Sequence, residues 1–127
     1  MKFLGTGSAL PKKVVSNDDL AQVMDTSDEW IRSRTGIGMR HIAVEETTTS
    51  MAVEAAEKAL ADAKISGCEI DLIIAGTISP DYIFPSLACE VQAAIGAKSA
   101  TAFDLSAGCS GFLFALATAD AYFRTGR

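Results

Sequence analysis

Apolar positions along this chain recur in two rhythms. After Thr47-Thr48-Thr49-Ser50, the residues Met51, Ala52, Ala55, Ala56, Ala59, Leu60 and Ala63 fall at i, i+3, i+4 spacing and predict an amphipathic helix. Within Asp71 to Ser79, Leu72-Ile73-Ile74-Ala75 is instead a short continuous apolar run, the pattern of a strand buried on both faces. Ser86 is placed to cap a further helix that Gly96 ends, Thr101 to Leu105 reads as a second buried strand, and Phe112 to Phe123 as a helix stopping near Gly126. The N-terminal part is more broken. Lys2 to Thr6 predicts a short strand closed by Gly5-Thr6-Gly7-Ser8, and Asn17 is placed to cap a short helix through Met24. Thr26-Ser27-Asp28-Glu29 has the spacing of a capping box opening a helix to about Ser33, after which Gly36 and Gly38 break the chain. Strands alternating with helices in this way predict βαβ units, an α/β class and a parallel or mixed sheet.

Length and charge narrow the function. The 127 residues fit one domain, and the 49% of hydrophobic residues can supply its core. Sixteen acidic against eleven basic residues leave a formal charge of −5, which argues against broad binding of nucleic acid or of an anionic membrane. No apolar run approaches the roughly 20 residues of a membrane span. The Met1-Lys2-Phe3-Leu4-Gly5 start lacks a signal-peptide core, so a cytoplasmic setting is expected. Cys68, Cys89 and Cys109 lie 21 and 20 residues apart, without a C-x-x-C pair and with a single histidine in the chain, so no metal is expected.

The stretch richest in chemistry runs Ala102-Phe103-Asp104-Leu105-Ser106-Ala107-Gly108-Cys109-Ser110-Gly111-Phe112. A buried strand passes through small residues straight into an apolar helix, with Cys109 on the turn. Gly108 and Gly111 permit a tight strand-to-helix reversal, the device that lifts a nucleophile to the carboxyl edge of a sheet. The N–H groups and positive end of the following helix favour a thiolate and can hold the oxyanion formed when a thioester is attacked, so the chemistry indicated is acyl transfer. The competing reading is a small cysteine packed under a core helix. Cys68 and Cys89 have no such turn. Thr26, Trp30 and Arg34 are spaced by four and share a face if the helix reaches that far; an indole beside a guanidinium suits a heteroaromatic base carrying phosphates, or else a core or rim contact. His41 has nothing local to orient it toward Cys109 and is assigned no catalytic role.

Taken together, Gly5-Thr6-Gly7-Ser8, Asp25-Thr26-Ser27-Asp28-Glu29-Trp30-Ile31, Arg34-Thr35-Gly36-Ile37 with Arg40-His41-Ile42, and Phe84-Pro85-Ser86 ahead of Ala107-Gly108-Cys109-Ser110-Gly111-Phe112 resemble β-ketoacyl-acyl carrier protein synthase III. The resemblance implies a thiolase-like fold, a layered αβαβα architecture of two similar halves. Residues 1–127 would form the nucleophile-bearing N-terminal half, with the C-terminal half and its catalytic His and Asn absent. It implies the start of fatty-acid biosynthesis, in which an acyl-CoA primer such as acetyl-CoA is condensed with malonyl-acyl carrier protein through a cysteine thioester. Cys109 would be that nucleophile. Trp30 and Arg34 would hold the adenine of coenzyme A, with Thr26 on the same face, and Phe84 would reach toward the acyl pocket across a homodimer interface. Coenzyme A thioester would be a substrate, with no separate cofactor. Two alternatives remain: a specialised acyl-CoA condensing or acyl-transfer enzyme of the same superfamily, and a catalytically incomplete fragment that only dimerises.

Overall fold

A computed structural model describes residues 2–126, which divide into two compact units: Leu10–Glu46, and residues 2–9 together with 47–126. In the first unit, strand β1 (Lys13–Ser16) pairs antiparallel with β2 (Met39–Ile42), Val14 lying opposite His41. Neither strand is anticipated from the sequence. Each has four residues, and Lys13, Ser16, Arg40 and His41 interrupt any apolar alternation that would mark them.

Helices α1 (Asn17–Ala21) and α2 (Asp28–Thr35) lie between these strands in the chain, and both start one residue away from the expected cap. Ser16, not Asn17, caps α1: its hydroxyl accepts from the Asp19 N–H, and the Asp19 carboxylate accepts from the Ser16 N–H in return. At α2 the extended residue is Ser27, whose hydroxyl accepts from the Trp30 N–H at 3.1 Å, so Thr26 stays outside the helix. Asp28 and Glu29 then occupy the first turn and Arg32 and Arg34 the last, the order that suits the helix dipole. Gly36 closes α2 at φ 73°.

Relieved of capping, Asn17 becomes the hub of this unit at 1% exposure. Its Nδ2 donates to Asp28 Oδ1 at 2.7 Å and to the Ile37 carbonyl at 2.8 Å, while its Oδ1 accepts from Arg40. Asp28 also takes the Arg32 guanidinium at 2.8 Å; the Asn17 amide, helped by Arg32, holds the Asp28 carboxyl below its ordinary value.

In the second unit, residues 2–9 form no strand, contrary to the sequence reading. Their backbone runs against helix α3 (Thr48–Ala63) instead of another strand: the Thr6 N–H donates to the Asp62 carboxylate at 2.9 Å, and Lys58 Nζ donates to the Ser8 carbonyl. A Cβ at Gly5 would lie 2.5 Å from the Ala63 nitrogen, so glycine permits this approach. Thr47 caps α3 with Ser50 completing the box.

Strand β3 (Leu72–Gly76), helix α4 (Leu87–Ala94) and strand β4 (Thr101–Leu105) follow as a βαβ unit with the two strands parallel, Leu72 beside Thr101 and Gly76 beside Leu105. Helix α5 (Gly111–Thr125) packs back onto the pair and ends at Gly126. The buried apolar side chains are Leu87, Ala88 and Val91 on one face of α4, with Ala97 beyond it. Residues 72–75 are only half-buried, against the expectation of a strand covered on both faces. An apolar cleft of about 520 Å³, lined by Leu72, Ile74, Phe112, Leu116, Tyr122 and Phe123, opens between β3 and α5.

Candidate active site

The parallel register leaves Gly76 and Leu105 level, so the chain leaving β4 emerges at the carboxyl edge of the strand pair, where α/β sheets carry their ligands. After Ser106 and Ala107 it enters one 3₁₀ turn, Gly108–Ser110, and Gly111 opens α5 directly. Gly108 has φ 51°, a left-handed value that a side chain resists, and this bend turns Cys109 outward. A Cβ on Gly76 would stand 3.4 Å from the Gly111 carbonyl carbon, so the start of α5 rests on the end of β3 backbone to backbone. Cys109 is exposed, and no side chain caps the N-terminus of α5 beside it. The Ser110 and Gly111 N–H groups donate to the Ala107 and Gly108 carbonyls, so the turn behind the thiol is closed by its own backbone. Phe112, Leu113 and Phe114, more than half exposed, make the surroundings apolar.

The other thiols differ. Cys89 is half-buried in α4, its Sγ facing the Ala102 carbonyl at 3.9 Å. Cys68 is exposed on the 3₁₀ turn Gly67–Glu69, 3.0 Å from the Ser66 hydroxyl.

Phe84 lies in the same unit as Cys109, on the connection from β3 to α4, at 89% exposure and before a cis bond to Pro85. Trp30 and Arg34 lie in the Leu10–Glu46 unit and meet: the Arg34 guanidinium carbon sits 4.8 Å above the Trp30 ring, which remains 55% exposed. Thr26 does not join them on a helical face, because α2 begins after Ser27; the predicted three-residue row is a two-residue stack. His41 Nδ1–H donates to the Pro11 carbonyl, a structural bond within the hairpin unit. Among the described residues no group of three or more His, Cys, Asp or Glu gathers as metal ligands.

Two carboxylates go unremarked in the sequence reading. Asp104 on β4 accepts the Leu87 N–H at 2.9 Å and the Ala88 N–H at 2.8 Å, closing the N-terminus of α4. Asp81 accepts the Thr48 and Thr49 N–H groups at 3.1 and 2.7 Å, doing the same for α3; the Thr49 side chain first, then the Thr49 N–H, hold its carboxyl below the ordinary value. A signal for the first was available, since a carboxylate inside the apolar Ala102-Phe103-Asp104-Leu105 strand must find donors.

The chain is similar to known proteins over almost its whole length. The chain is 58% identical over 129 residues to the β-ketoacyl-acyl carrier protein synthase III of Bordetella petrii, covering 97% of itself and 39% of that protein. It is 60% identical over 117 residues to the Streptococcus suis synthase III, covering 92% of itself and 36% of the relative. Over almost its whole length the chain is homologous to β-ketoacyl-acyl carrier protein synthase III. The crystal structure of the Aquifex aeolicus synthase III superposes with a TM-score of 0.95 at 54% identity, covering 98% of this chain and 41% of that one. The fold is therefore α/β and thiolase-like, as the resemblance implied. No family model matches. The chain spans about two-fifths of the length of these relatives.

Proposed function

We propose that this chain is the nucleophile-bearing half of an acyltransferase that starts fatty-acid synthesis, condensing an acyl-CoA primer such as acetyl-CoA with malonyl-acyl carrier protein to a 3-oxoacyl-acyl carrier protein. The observation that carries the reading is Cys109, exposed on a glycine-bent turn at the carboxyl edge of two parallel strands and beside the uncapped start of α5. The Cys109 thiolate attacks the thioester carbonyl carbon, and the oxyanion is held by backbone N–H groups of the turn and helix. Collapse breaks the bond to coenzyme A, which leaves and takes a proton, and the acyl group remains on Sγ.

The Trp30–Arg34 stack takes the adenine end of coenzyme A, its exposed indole face offering area and its guanidinium offering charge to phosphates, with Thr26 near the helix start. Phe84 reaches toward the acyl pocket across a homodimer, whose two copies join through the free edge of β4. Acyl carrier protein delivers the second substrate, no cofactor is consumed, and the setting is the cytoplasm. Identities of 58% and 60% to β-ketoacyl-acyl carrier protein synthases III favour fatty-acid initiation over a specialised acyl-CoA condensing enzyme.

Incubation with acetyl-CoA followed by intact-mass measurement tests the reading. An acetyl adduct is expected that Cys109→Ser abolishes; no adduct, or one mapped to Cys68 or Cys89, overturns it. Malonyl-acyl carrier protein added to the 127-residue chain is expected to give no acetoacetyl product, because the resemblance assigns decarboxylation to a His and Asn that this sequence does not supply.

A further inference from the structure

The connection 77–86 carries the two most exposed large apolar side chains among the described residues, Ile83 at 99% and Phe84 at 89%. An apolar tip of this kind normally folds back onto its own chain to leave water. Here both ends of the segment are held by carboxylates. On the near side, Asp81 accepts two N–H groups from the first turn of α3, and the Thr48 hydroxyl donates to the Ser79 carbonyl at 3.0 Å. On the far side, Asp104 accepts the first two N–H groups of α4, and Ser86 accepts the third, from Cys89. Tyr82 to Pro85 is all that remains between the two anchors. Asp104 also stands on β4, five positions before Cys109, so one carboxylate ties the Phe84 segment to the strand that presents the nucleophile.

We propose that Asp81 and Asp104 are positioning residues that hold the two feet of the 77–86 loop and present Ile83 and Phe84 preformed for contact with the acyl group. The inference rests on the reading of Phe84 given above. Each carboxylate accepts two N–H groups from one helix start, so an amide in its place turns one acceptor into a donor facing an N–H. The side chain keeps its size and the anchor loses its function. Without the anchors the loop still exists, but ordering it becomes a cost at every acylation.

The test uses the 127-residue chain as Asp81→Asn, Asp104→Asn, Phe84→Ala and the double variant Phe84→Ala/Asp104→Asn, with Thr48→Val as a milder probe of the near foot. Hydrogen exchange over 77–86 and at Thr48, Thr49, Leu87 and Ala88 is expected to rise about 10-fold in the Asn variants, while the middle of α3 is unchanged. The ratio of Cys109 acylation rates with acetyl-CoA and hexanoyl-CoA is expected to shift about 3-fold or more in the direction set by Phe84→Ala, and the double variant to shift no further. General loss of fold lowers both rates together and leaves their ratio alone. Unchanged exchange overturns the proposal, and so does a ratio that Phe84→Ala moves and Asp104→Asn does not, with the Phe84 reading intact. A ratio indifferent to Phe84→Ala overturns that reading and the inference together. If wild type accepts no acyl group, the nucleophile reading falls and the exchange measurement alone decides the anchoring.

Discussion

Replacing Asn17 by Ala removes three side-chain hydrogen bonds from a position 1% exposed: those to Asp28, to the Ile37 carbonyl and from Arg40. The loss is partly absorbed, because Asp28 keeps Arg32 and Arg40 keeps the Val15 carbonyl at 3.3 Å. Bonds to charged partners contribute about 1.5–3 kcal/mol and neutral ones about 1 kcal/mol, so the lower ends for two charged partners and one neutral one sum to about 3.5–4 kcal/mol, of which the retained partners offset about 1, leaving about 2–3 kcal/mol. Trp30 is the one tryptophan in the sequence and lies in the same unit, so its fluorescence during urea unfolding reads the part of the chain that Asn17 organises. At a slope of about 1 kcal/mol/M the midpoint should fall by about 2–3 M. Asn17→Asp keeps the shape, loses both donors and sets a second carboxylate against Asp28; its penalty should shrink as pH falls and the new carboxyl regains a proton to donate. A loss under about 0.5 kcal/mol for Asn17→Ala would refute the hub argument.

Brief iodoacetamide treatment and mass mapping should label Cys109 first and Cys89 last; Cys68 is exposed too, and its leading instead would remove the physical basis for the nucleophile. Trp30→Ala should weaken coenzyme A binding by about 1–2 kcal/mol in calorimetry through the lost stacking face, and equal affinity would remove the nucleotide platform. The Glu46 carboxylate, accepting N–H groups from Lys12, Val44 and Glu45, is held down at about 2 from 4.5. Its stabilisation is fully present above 4.5 and is lost as pH falls toward 2, so the Glu46 side-chain NMR shift should titrate near 2, and a midpoint at the ordinary glutamate value would contradict those bonds.

Helices and the parallel pair were legible wherever local chemistry repeats. Ser86 with Gly96 and the Thr101–Leu105 run fall where the structure has them, because a cap or an apolar run contains its own partner within a few residues. The hairpin β1–β2 was not legible, since Lys13 and Ile42 pair across 29 positions and neither strand has an apolar face long enough to signal. The Lys2–Thr6 strand failed for a related reason: strand-like composition says nothing about what lies alongside, and here it is the backbone of α3. Within the site, the Cys109 turn could be read because Gly108 and Gly111 flank it. Thr26 was placed on a helical face by its four-residue spacing from Trp30, and the extended backbone at Ser27 starts α2 after it. Asp81 and Asp104 act on amides 32 and 16 positions away, distances over which no local pattern points.

Glu46 has a further consequence. By accepting the Lys12 N–H at 2.9 Å it joins the beginning and the end of the Leu10–Glu46 unit with one bond, so this unit enters and leaves the surrounding chain at neighbouring points. A segment closed in this way behaves as a cassette. Trp30 and Arg34 belong wholly to the cassette, while Cys109, Phe84 and both anchoring carboxylates belong wholly to the host. Substitutions at Trp30 and Arg34 therefore leave in place the Lys12–Glu46 bond and the Ser110–Ala107 and Gly111–Gly108 bonds of the nucleophile turn.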